Sequence, residues 1–196
     1  VELRFESAGD PDMRIPGFRT KIAATGEYDA ADARWLGNLH AASIAFPDGG
    51  ANLSQPVALE AGRAALRVAP LCLATGDARF CVEGEWHSEP ESWRVLYSAQ
   101  DWPLRRILHS LLGWREFDGR LQASGWASQE PGRAWTGATT LLLDNPTLDI
   151  PRNQFRTERV SLGSARLDLF AEPDAIRASL EAIIAENSRL TGEVTA

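Results

Sequence analysis

Stretch after stretch of this chain alternates apolar and polar residues with a period of two, and no other feature limits its possible folds so sharply. In VELRFES, Val1, Leu3 and Phe5 fall on one side and Glu2, Arg4 and Glu6 on the other, because successive side chains of a strand point to opposite faces. The same pattern runs through NLHAASIAF, VALEAGRAALRV, SWRVLYSA, GRLQASGWA, WTGATTLLL, TLDI, RVSLG and ARLDLFA. Turns are marked between strands by FPDGG, SEPES, QEPGR and LDNPT, clusters rich in the residues that punctuate β-structure. A short phrase recurs as GEYDA, GEWHS, GRLQA and GEVTA, but at uneven intervals, so the chain is not a fixed-period solenoid.

Two segments depart from the period. In DWPLRRILHSLLGW, Asp101 or Trp102 can cap, Pro103 suits a first turn, and Leu104, Ile107, Leu108 and Leu111 form a helical stripe before Gly113, with Arg105, Arg106 and His109 on the other side. In PDAIRASLEAIIAENS, Ile176, Leu180, Ile183 and Ile184 line up behind Pro173, which predicts a second helix over 173–188. The expected fold is therefore mainly β, with two short amphipathic helices, in one β-rich segment spanning residues 1–196.

Residues 71–86 read LCLATGDARFCVEGEW and hold both cysteines of the chain. Thr75-Gly76-Asp77-Ala78 carries the chemistry of a tight hairpin, with Gly where a positive φ is needed. Taking Gly76-Asp77 as the loop pairs Thr75 with Ala78, Ala74 with Arg79, Leu73 with Phe80 and Cys72 with Cys81. The cysteines then occupy a non-hydrogen-bonded rung, whose Cα atoms lie about 4.5 Å apart, within reach of a disulfide. A metal would want further Cys or His ligands and only His87 is near; a redox pair would be spaced CxxC. A cross-strand disulfide is the favoured reading, with two buried thiols packed as small apolar groups as its alternative. A disulfide points to an oxidising compartment such as a bacterial periplasm.

Composition narrows the function. With 44% hydrophobic residues the chain can bury a real core. Its net charge of -7 and its single lysine, Lys21, argue against nucleic acid as a partner. No apolar run reaches membrane-spanning length, and VELRF lacks the regions of a signal peptide. Because the disulfide asks for export while the chain starts at Val1 and ends on the strand-like TGEVTA, a piece of a longer exported protein is expected. HExxH, GxSxG, Walker and GxGxxG signatures are all absent, and His40, His87 and His109 are scattered over different elements. No enzyme, cofactor or metal is expected.

Strands with one apolar face must cover it. A barrel, a sandwich or an open trough would each serve, and period-two alternation fits all three. The run from Arg34 to Ala127 resembles the TamB family. It does so through Trp35-Leu36 before a strand, SQPVALEAG, the Cys72 and Cys81 pair, Gly84-Glu85-Trp86, the PLRRIL start and the stretch from Gly119 to Gly125, all in order. The resemblance implies a periplasmic half-pipe, the so-called β-taco, with a hydrophobic concave face. It also implies a parent anchored in the inner membrane, phospholipid acyl chains as cargo, adjacent segments of the same chain as neighbours, and an outer-membrane barrel partner like TamA. The family is linked to outer-membrane biogenesis and autotransporter secretion. It has no short catalytic motif to carry over, and the predicted helix at 173–188 matches none of its elements. Candidates for the lipid groove are Leu3, Phe5, Ile44, Phe46, Leu59, Leu66, Val68, Leu71, Leu73, Phe80, Val82, Val95, Leu121, Leu141, Leu143, Val160, Leu162, Leu167 and Leu169. Two alternatives remain: a scaffold whose strand edges template outer-membrane proteins by β-augmentation, and a carbohydrate-binding β-sandwich using Trp86, Trp93, Trp126 and Trp135.

Overall fold

A computed structural model describes residues 2–8, 19–46, 49–105, 117–153, 156–161, 163–185 and 188–195. They form one antiparallel sheet of fourteen strands. The strands are β1 (Glu2–Ala8), β2 (Arg19–Asp29), β3 (Arg34–Phe46), β4 (Gly49–Leu53), β5 (Val57–Gly62), β6 (Ala65–Thr75), β7 (Ala78–Ser88), β8 (Glu91–Pro103), β9 (Phe117–Gln129), β10 (Thr136–Asn153), β11 (Arg156–Ser161), β12 (Ala165–Glu172), β13 (Ala175–Ala185) and β14 (Ser188–Thr195). Most pair with their sequence neighbours, as short turns between alternating segments demand. Between β3 and β6 the row is shared: β4 pairs with the C-terminal half of β3 and β5 with the N-terminal half, and both also pair with β6. On the far side, β10 is long enough to pair with β12 and then with β11.

The sheet curls and stays single-layered. Among the described residues, the substantial backbone contacts of each strand are with its ladder neighbours, and all fourteen strands belong to one sheet. Irregularities interrupt the ladders at Ala23/Ala24, Val68/Leu71, Ala99/Trp102 and Asp144/Thr147, the local bends that bulges introduce. The chain exposes 13402 Å². A compact monomer of its 21.4 kDa would expose about 9,100 Å². The excess is what a sheet without a covering layer must show, and no sandwich exists among the described residues.

Several expectations need correction. Residues 175–185 are strand β13, not a helix, with Pro173-Asp174 as the turn from β12. The misreading has a simple cause: Ile176, Leu180 and Ile184 recur every four residues, a spacing that satisfies period two as well as period 3.6. Pairing on both edges, with β12 and β14, then overrides the helix propensity of the Ala, Leu and Glu around them. Of the other predicted helix, Asp101–Pro103 belong to β8, and Arg106 to Trp114, with Ile107, Leu108, His109 and Leu111, lie outside the described residues. LDNPT is not a turn, because β10 runs through it with the bulge that a strand proline requires. The strands β2 and β4 went unread in the sequence. The Cys hairpin has the expected register throughout, from Thr75↔Ala78 to Cys72↔Cys81, with Gly76 at φ 59° in its turn.

Candidate functional site

Following the ladders from strand to strand separates the side chains into two faces of opposite character. One row runs Ile44↔Ala51, Leu53↔Leu73 and Leu73↔Phe80↔Ala99↔Ala123↔Leu141↔Leu167↔Leu180. A second runs Trp35↔Ala61↔Leu66↔Trp86↔Trp93. Directly opposed residues share a face, so these rows make one continuous apolar surface across the molecule. The strongly buried hydrophobic residues of the strands belong to it: Ala24, Trp35, Leu39, Ala51, Val57, Leu73, Ala78 and Ala99. All of them lie in one sheet, with no second sheet among the described residues.

Large rings on this face lie over glycines of their own and neighbouring strands. The Trp35 indole occupies the space that a Cβ would take at both Gly26 and Gly37, and Tyr97 crosses Gly125 in the same way to hydrogen-bond the Thr139 hydroxyl. Trp93 Nε1 donates to Gln129 Oε1 at 2.8 Å. The buried Nε1 groups of Trp35 and Trp102 have no hydrogen-bond partner among the described residues, which measures how few polar atoms this face offers.

The groove candidates fall on the apolar face wherever they can be placed. Ile44, Leu59, Leu66, Val68, Leu71, Leu73, Phe80, Val82, Val95, Leu121, Leu141, Leu143, Val160, Leu167 and Leu169 all share it through the ladders. Their shelter varies, from buried Leu73 to Leu66, exposed at the surface. The register sets Leu3 opposite Ala24, Phe5 opposite Ile22 and Phe46 opposite Gly49; Leu162 lies outside the described residues. Sequence reasoning missed Trp35, Leu39, Leu53, Val57, Trp86, Tyr97, Trp102 and Leu180, which extend the face. An aromatic residue with a glycine two positions away was a readable sign of two of them, Trp35 with Gly37 and Trp86 with Gly84.

The opposite face is charged. Arg34 meets Glu60 at 3.4 Å, Arg67 meets Glu85 at 3.8 Å, Arg166 meets Asp168 at 2.7 Å and Arg189 meets Glu181 at 2.8 Å. The Arg166 guanidinium, helped by the Thr140 hydroxyl, holds the Asp168 carboxyl below its ordinary pKa, and Arg159 does the same to Asp149. Exposed pairs of this kind add little stability, but they keep one side wet while the other stays dry. Cys72 and Cys81 form a disulfide on this polar face, with Cα atoms 4.0 Å apart, behind the apolar row of Leu71, Leu73, Phe80 and Val82. Three shallow depressions also open on the polar face, around Trp126, Leu96 and Arg94. His40 is exposed and His87 half-buried. Among the described residues no helix is long and apolar enough to cross a membrane, and no three His, Cys, Asp or Glu side chains converge on a metal position.

A family model described as TamB, N-terminal domain, matches residues 4–196. No curated protein and no solved structure matches the chain.

Proposed function

The chain belongs to the TamB family, through the N-terminal domain that covers nearly all of it, and from this premise we propose that its apolar face conducts phospholipid between the inner and outer membranes of a Gram-negative envelope. The carrying observation is a continuous apolar surface, spanning β2 to β13, that no second sheet covers among the described residues. Apolar area left in water is unfavourable by roughly 25 cal/mol per Å², so a face of this extent has a partner, and acyl chains fit a surface whose polar groups, Tyr97 with Thr139 and Trp93 with Gln129, bond one another. The disulfide supports a periplasmic location, since such bonds persist where the compartment is oxidising. The parent protein is then anchored in the inner membrane and works with a TamA-like barrel in outer-membrane biogenesis, with no chemistry of its own.

A photo-crosslinking residue tests this in the full-length parent. Placed at Leu121 or Leu143, it is expected to capture phospholipid; placed at Gln122, on the polar face, it is expected to capture none. Crosslinks at Leu121 and Leu143 that yield only unfolded outer-membrane protein would replace the conduit with a strand-templating scaffold.

A further inference from the structure

On the polar face of β8 to β12, two rows run side by side across the strands. One is Leu96↔Trp126↔Ala138↔Phe170 and the other Ser98↔Ser124↔Thr140↔Asp168. Neither row has a part in the apolar face. Trp126 is 40% and Phe170 47% exposed, the two aromatic rings of the strands that stand in water on this face. The Ser98 and Ser124 hydroxyls have no hydrogen-bond partner among the described residues, whereas Thr140 donates to Asp168 at 2.6 Å. A depression of about 630 Å³ lies over the hydroxyl row, bounded by Leu96, Trp126 and the disulfide, and a second of about 620 Å³ lies on the other side of Trp126. The indole is thus reachable from both.

We propose that this track binds a linear β-linked polysaccharide laid across the strands, with sugar rings stacked on Trp126 and Phe170 and their hydroxyls hydrogen-bonded by Ser98 and Ser124. The spacing supports it: the two aromatic residues stand two strands apart, about 10 Å, the length of one disaccharide unit. The chemistry supports it as well. A sugar ring has an apolar face for an aromatic ring and a rim of hydroxyls that serve as donors and acceptors, which matches an aromatic row beside a serine row. A shallow depression open to solvent would leave an acyl chain wet but suits a polymer that stays half-hydrated. Arg166 beside the track is paired with Asp168, and Glu83, opposite Leu96, lines the same depression, so the local field does not select an anion. The location proposed above enters only in naming the polymer, the amino-sugar strand of the cell wall; binding itself stands apart from lipid conduction.

Titration with chitotetraose, an N-acetylated β-linked oligomer, followed by tryptophan fluorescence and calorimetry, tests the site. Saturable binding is expected, weakened about ten-fold by Trp126→Ala and by Phe170→Ala and largely kept by Trp126→Phe, which retains an aromatic ring. A thermal scan on each variant checks that the sheet is intact. Absence of binding by the intact wild-type chain overturns the proposal, and so does binding that survives undiminished in both alanine variants, since the sugar then sits elsewhere. Phospholipid capture at Leu121 is unaffected by either result, so the two readings fail independently.

Discussion

A methyl group added at Gly37 would land on the Trp35 indole and the Thr25 carbonyl, so a glycine is needed there for space rather than for backbone freedom. Gly37→Ala is expected to cost about 1 to 3 kcal/mol, the usual effect of overpacking, visible as a lower urea midpoint; an unchanged midpoint would show that Trp35 does not rest on the strand. The cysteines act by a different route. Their bridge links residues nine apart and stabilises chiefly by restricting the unfolded chain, which the chain-entropy account puts at about 2 to 3 kcal/mol for so short a loop. Replacing both by serine should lower stability by that amount, and reductant should do the same to the wild type. Stoichiometric labelling of both thiols without reductant would remove the bridge from the account. The pairing was legible from the sequence because a two-residue loop fixes every rung beyond it.

What was legible at the scale of elements follows the same logic. Hairpins with short turns and clean alternation, such as β6–β7, could be read to the rung. Residues 173–185 could not, because four-residue spacing leaves strand and helix degenerate, and only the ladders of β12 and β14 decide between them. The bulges were invisible for a related reason: Asp144 to Thr147 carries turn residues, yet the chain there bends without leaving the sheet. The strand at 175–185 invites a direct test. Counting from the closing pair Glu172↔Ala175, Leu169↔Ala178 is the fourth rung; Cys72↔Cys81 is the fourth from Thr75↔Ala78. Both are non-hydrogen-bonded rungs with Cα atoms about 4.5 Å apart. The double variant Leu169→Cys and Ala178→Cys should therefore form a second disulfide on mild oxidation, detected as two further thiols lost. Failure to oxidise, with free thiols retained, would restore a helix to this segment.

At the scale of the whole molecule, a sheet whose described strands make their substantial contacts with ladder neighbours gains its stability locally, much as a repeat array does. The cluster of Ala24, Trp35, Leu39 and Val57 should make β3 and β5 the last amides to exchange with deuterium, and β14, exposed along its length, among the first. The same openness decides how the apolar face answers to charge. A carboxylate buried in a filled core is penalised by several kcal/mol, whereas one on an uncovered face can stay hydrated and costs about 1 kcal/mol or less. Leu121 and Leu143 face each other across β9 and β10 and are half-buried; Gln122 points the opposite way and is exposed. Leu121→Asp and Leu143→Asp should consequently fold, with denaturation midpoints near that of the wild type, and yet stop lipid movement in the full-length parent, because acyl chains must pass a charge held in their path. Gln122→Glu should leave both stability and transport unchanged. Unfolding of the two aspartate variants would mean that the face is packed shut and conducts nothing, and unimpaired transport by stable variants would place the lipid path away from β9 and β10.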